Sequence, residues 1–137
     1  MNVDAILAGL HARLKTVTGL KAILDYEPES VQAAPFLYSL LDETARPLPA
    51  GQQQSVRYRY LHRVVIDWTD PAAAEQLVRR YTDAIPNAIA ADPTLGGVVT
   101  RGFASVVDQA AGFVVINKVL VRVLDSYSET LVKRAAQ

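Results

Sequence analysis

From residue 56 to residue 68 apolar and polar positions alternate one by one, in the run VRYRYLHRVVIDW. One set holds Val56, Tyr58, Tyr60, His62, Val64, Ile66 and Trp68; the other holds Arg57, Arg59, Leu61, Arg63, Val65 and Asp67. A period of two, rich in β-branched and aromatic residues, predicts a strand with one buried face. Upstream, Val3, Ile6, Leu7, Leu10, Leu14 and Val17 recur at helical spacing. That stripe predicts an amphipathic helix lying on a sheet, capped by Asn2 or Asp4 and ended by Gly19. Leu20 to Glu27 reads as a short strand closed by Pro28. Pro35 to Thr44 reads as a second strand, with the proline at its start, where a strand tolerates it.

Downstream of the alternating run, Asp70 fits a helix N-cap and Pro71 the first helical position. Leu77, Val78, Tyr81, Ile85, Ala88 and Ile89 then line one face. Pro86 is expected to kink this helix or end its regular part, because it removes a backbone donor and crowds the preceding turn. Val98 to Val107 is expected as a strand loosened at Gly102, Asp108 to Gly112 as a tight connection, and Phe113 to Leu124 as the most apolar strand. Its two faces are both apolar enough to want cover. Two helices cover one sheet face and hardly two, so the remaining face is expected to be polar elsewhere or to meet another protein.

These elements predict an α+β fold in the order α-β-β-β-α-β-β. The sheet is mostly antiparallel, four- to five-stranded, with both helices on one face. Residues 1–125 form a single domain; residues 126–137 are a C-terminal tail, with Leu131 and Val132 on a short helix or the segment unattached. The loop from Ala45 to Ser55 carries two prolines, a glycine and three consecutive glutamines. A strand as long as the alternating run spans roughly 43 Å at about 3.3 Å per residue. A domain of this size is only roughly 37 Å across. The hairpin formed by the second and third strands is therefore expected to project from the body; the alternative is a shorter strand beginning near Tyr60.

The 137 residues are half hydrophobic and one-fifth charged, a globular composition long enough for one domain with a real core. Fourteen basic residues balance fourteen acidic ones. This balance argues neither for nucleic acid nor for a membrane surface, and it leaves self-association unopposed. With no cysteine, disulfides, thiol nucleophiles and thiolate metal sites are excluded. The first helix is interrupted by Asp4, His11 and Arg13, and is expected to be neither signal peptide nor membrane span.

Little here points to catalysis. His11 lies near the polar side of its helix, where a solvated histidine is the simple expectation. His62 would need a nucleophile or acid across the sheet to act as a base; Tyr58, Tyr60 and Asp67 are its neighbours, and Asp67 is on the other face. No His-x-His or His-x-x-x-His spacing offers a metal site. Glu27/Glu29 and Asp42/Glu43 sit beside turns, where solvated charges are common. Gly96-Gly97 precedes a strand rather than a helix, so it is no phosphate loop. Arg57, Arg59 and Arg63 share one strand face and could approach a phosphate backbone, or form a solvated or inter-subunit salt-bridging face. Trp68 and Phe103 read as core. The expectation is no catalytic residue, no cofactor and no metal.

The layout resembles the tail terminator proteins of long-tailed bacteriophages and, more broadly, the small neck and tail-completion proteins. The resembling segments are the opening VDAILAGLHARL helix, the strand ending LDYEP, the proline-led strand APFLYSLLDE, the long strand ending VVIDWTDP that runs into a helix, and the turn DPTLGG before two closing strands. The resemblance implies a structural virion protein, commonly a homo-hexameric ring that caps the tail tube, stops its polymerisation and joins it to the head-side connector. DNA passes through the opening. Its partners would be further copies of itself, the major tail tube protein and the neck proteins, with assembly in the host cytoplasm and no membrane. On this reading the partner surface comprises Arg46, Gln52, Gln53, Gln54, Arg57, Tyr58, Arg59 and Arg63. A head–tail adaptor of the same neck, and a small α+β ligand-binding module or enzyme using His62, are the alternatives.

Overall fold

The computed structural model describes residues 3–31, 33–45, 55–99 and 101–133. Helix α1 (Val3–Leu14) opens the chain, followed by β1 (Ile23–Leu24), β2 (Phe36–Ala45) and β3 (Ser55–Ile66). Helix α2 (Pro71–Ala90) then leads to β4 (Gly102–Ile116) and β5 (Val119–Lys133). The five strands form one mixed sheet in the order β1-β2-β3-β5-β4. Only the two-residue pairing of β1 with β2 is parallel; the other pairings are antiparallel.

Alternation decides which face each residue takes. Leu37, Tyr60, Val64, Ile66, Ala104 and Leu124 share a core with Ile6, Leu10 and Leu14 of α1 and with Val78, Tyr81, Ile85 and Ile89 of α2. Asp70 caps α2 as expected, its side chain accepting from the Ala73 N–H. Pro86 does not end the helix, which runs on to Ala90. The proline removes a single bond there, and Ile85, Ala88 and Ile89 on either side of it are buried.

The face away from the helices is not bare. At one end Phe36, Tyr38, Val65, Ile116, Val121 and Val123 form a second core. Ala22, Leu24, Val31 and Ala34, from the segment joining α1 to β2, pack over it. Leu20 to Glu27 was expected as a strand; only Ile23 and Leu24 pair, and Ala22, Val31 and Ala34 serve as cover.

Three expectations about the strands are corrected. First, β3 is no projecting arm. It pairs with β5 along its whole length, from Ser55↔Lys133 to Ile66↔Arg122, and with β2 from Val65 to Arg57. It is the middle of the sheet, and it begins at Ser55 rather than near Tyr60. Second, the last hairpin turns at Asn117-Lys118, both left-handed at φ 46° and 68°, instead of at residues 108–112. Those residues continue β4, and a register shift between Val106 and Asp108 takes up the irregularity. Third, residues 126–133 are no tail: they are the second half of β5, where Ser126, Ser128 and Thr130 are buried.

Candidate assembly surface

The arginines of β3 lie on the face away from the helices, opposite acidic residues of β5 and β2. Arg63 donates from Nε to Asp125 Oδ1 at 2.7 Å and from Nη2 to Oδ2 at 2.9 Å. Its Nη1 reaches the Tyr38 hydroxyl at 3.1 Å. Tyr38 holds its proton above the ordinary tyrosine range, because burial opposes the phenolate more than Arg63 favours it. Arg59 bridges Glu129 at 3.2 Å and Asp42 at 3.1 Å, and stacks over the Tyr127 ring. Arg57 stands 3.8 Å from Glu129 with about half of its side chain exposed. The stripe is thus neutralised within its own chain, which weakens the case for a phosphate-binding face.

Tyr58, by contrast, is on the helix side, half-buried against the main core. It is not brought together with the arginines. Arg46, Gln52, Gln53 and Gln54 fall outside the described residues.

The two histidines belong to the interior. His62 is fully buried, with Ser39 Oγ 2.7 Å from Nδ1 and Ser128 Oγ 2.7 Å from Nε2. Burial pushes its pKa down to about 3, helped by the nearby His11. His11 is not the solvated residue that its helix position suggested. Its Nε2 lies 2.9 Å from Ser39 Oγ, and burial lowers its pKa against the opposing pull of Asp25. The serines are period-two neighbours of apolar strand positions, so nothing local marks them as partners of a histidine many residues away.

The unexpected surface is on β4 and β5. Six of the large apolar side chains left exposed are Phe103, Val107, Phe113, Val115, Val119 and Leu120. Phe113, Val115, Val119 and Leu120 cluster because β3 ends opposite Arg122; Phe103, opposite Leu131, and Val107, at the register shift, lie further back along β4. Beyond that point the β4–β5 hairpin continues as a two-stranded extension through Val114↔Val121, Val115↔Leu120 and Ile116↔Val119. Its base is tied to α2. Arg122 donates to Glu75 at 2.7 Å and to the Gly112 carbonyl at 3.0 Å, and lies over the Phe113 ring. Trp68 meets Phe113 edge-on at 4.8 Å.

Strand β4 is also the sheet's outer strand, paired on one side only among the described residues. At its start a cleft of about 330 Å³ runs between Phe103, Ala104 and Val106, the end of α2 at Pro86 and Ala90, and Pro93 just beyond it. Phe103 is therefore surface and not core. The sequence carried one signal of this surface: residues 113–124 are apolar on both strand faces, more than two helices cover.

Among the described residues no helix is long and apolar enough to cross a membrane, and no group of three or more His, Cys, Asp or Glu side chains is placed to hold a metal ion. No family model and no curated protein matches the chain.

Proposed function

We propose that the chain is a structural subunit of a phage or phage-like tail, a terminator that assembles as a ring on the end of the tail tube. The observation that carries this reading is the exposed apolar hairpin of β4 and β5, with Val115 66% and Leu120 49% exposed. Exposed apolar patches of this kind mark surfaces that meet another protein. The outer edge of β4, paired with no further strand among the described residues, adds a second means of joining chains. The layout resemblance supplies the setting: a ring, commonly hexameric, between the tube protein and the head-side connector, through which DNA passes. In this reading the virion is where the protein acts.

The projecting element becomes the β4–β5 end rather than the β2–β3 hairpin. Of the three β3 arginines, Arg57 has the longest ion pair and the most exposed side chain, so it is the one left to meet a neighbour. A full hydrogen-bonded environment around His62 supports a structural role for it rather than a catalytic one.

Light scattering and electron microscopy, with and without tail tubes, test the reading. Rings that cap tubes and stop their growth are expected. A protein that stays monomeric both alone and with tubes would sink it.

A further inference from the structure

Strand β4 carries an apolar feature at each end. At its far end Val115 pairs directly with Leu120, so the two share a sheet face with Phe113, the face on which Arg122 meets α2. Both are exposed. At its near end lies the cleft of about 330 Å³ between β4 and the end of α2, and none of the residues lining it is charged. Phe103 and Val115 are twelve positions apart along β4, roughly 40 Å at about 3.3 Å per residue. A chain therefore cannot seat its own hairpin tip in its own cleft.

The polar groups around the two features are complementary. Over residues 113–121 the single charged residue is Lys118, exposed at the turn. The α2 side of the cleft offers acceptors. Asp83, exposed, lies one turn before Pro86 on the same side of the helix, and Asp92 stands next to Pro93. Pro86 has no N–H, so the exposed Thr82 carbonyl four residues earlier lacks its helical donor. The cations of the same stretches, Arg79 and Arg101, lie a turn further up α2 and ahead of β4.

We infer that the tip of the β4–β5 hairpin seats in this cleft of a second copy of the chain, with Val115 and Leu120 against Pro86 and Ala90 and the Lys118 ammonium on Asp83. The inference rests on the self-assembly proposed above and fixes its geometry. Tip and cleft are different patches, so the contact runs head to tail, leaves each end of a row with one open tip or cleft, and is completed only by closing a ring.

The middle of β4 disfavours the alternative, a two-fold pairing of the two outer edges. The register shift between Val106 and Asp108 falls there. An antiparallel pairing centred on it sets two irregular stretches and two Asp108 carboxylates against each other.

Thiol cross-linking tests the seating, since the chain has no cysteine of its own. The full chain carrying both Ala90→Cys and Leu120→Cys, treated with a short bis-maleimide alone and on tail tubes, should give a ladder of covalent multimers. A mixture of the two single variants should give a heterodimer that neither gives by itself. Lys118→Glu should weaken assembly by roughly tenfold or more, and adding Asp83→Lys should restore it; this exchange at exposed positions reads the same contact without cysteines. Covalent dimers and nothing larger, or Leu120→Cys joined to itself, would overturn the seating. So would absence of the 90–120 link, and if rings form without it the ring reading still stands. Protection of Ala90→Cys from alkylation only on tubes, without the link, would give the cleft to the tube protein and overturn the seating as well. A ladder from a protein that does not cap tubes supports the seating and removes the tail reading instead.

Discussion

Arg63 closes on Asp125 with two parallel hydrogen bonds, and the pair is largely shielded, with 21% and 15% of the two side chains exposed. Removing one partner leaves the other charge poorly solvated between two central strands. Asp125→Ala is expected to cost about 2–3 kcal/mol, less than the full penalty of a wholly buried pair. Replacing both, as Arg63→Met with Asp125→Leu, should recover most of that loss. Urea unfolding of the natural protein and the two variants measures it, and equal stability of the single and the double variant would refute the pairing argument.

His62 makes the protein acid-sensitive. Its folded pKa, about 3, lies below the unfolded value of about 6.5. Between these limits the unfolded chain binds a proton that the folded chain does not. Stability from this group is thus fully present above about pH 6.5 and falls as the pH drops toward about 3. The slope approaches about 1.4 kcal/mol per pH unit. Denaturant midpoints between pH 7 and pH 4.5 should fall more steeply for the natural protein than for His62→Gln. Parallel curves would show that His62 is not held neutral.

Val115 is the most exposed of the large apolar side chains among the described residues. Val115→Asp is expected to change folding stability by no more than about 0.5 kcal/mol, as for an isolated surface position, while weakening self-association or tube binding strongly. Thermal unfolding and sedimentation on the same sample separate the two. A destabilised variant would mean that Val115 packs within its own chain.

Gly102 begins β4 at φ 142°, and a Cβ there would run into the Leu131 carbonyl across the pairing. No side chain can be accommodated without moving one strand. Gly102→Ala should cost roughly 3 kcal/mol or more, and hydrogen exchange should show the loss at the start of β4 and the end of β5. A cost below about 1 kcal/mol would indicate a relaxed local backbone.

Trp68 is half-buried against the main core and edge-on to Phe113. Trp68→Ala is expected to cost about 2 kcal/mol, below the 3–5 kcal/mol of a fully buried tryptophan. Because Phe113 sits in the exposed hairpin, the same change should also loosen that hairpin, visible as faster exchange around residues 113–122.

Much of the architecture was legible because it rests on local rules. The Asp70-Pro71 start of α2 is set by capping chemistry, and the alternation of residues 56–66 places their faces without further information. The last hairpin was misplaced for an equally local reason. Asp108 to Gly112 offers familiar turn residues, whereas Asn117-Lys118 lacks the glycine that usually marks a two-residue turn with positive φ. Only pairing with β3 and β5 keeps residues 108–112 extended. The proposed partner surface was partly visible: excess apolarity in residues 113–124 was plain, but its exposure depends on where β3 stops.

By itself, the sequence determined the α+β class, the two helices, their buried stripes and the inward face of β3, because each follows from periodicity, caps and turn chemistry within a few residues. The tertiary structure alone decided that β3 lies between β2 and β5, that Arg59 and Arg63 meet acids of their own chain, and that His11 and His62 share Ser39. Those outcomes depend on strand order and register, which bring together residues 23 to 70 positions apart, and no local propensity encodes such a distance.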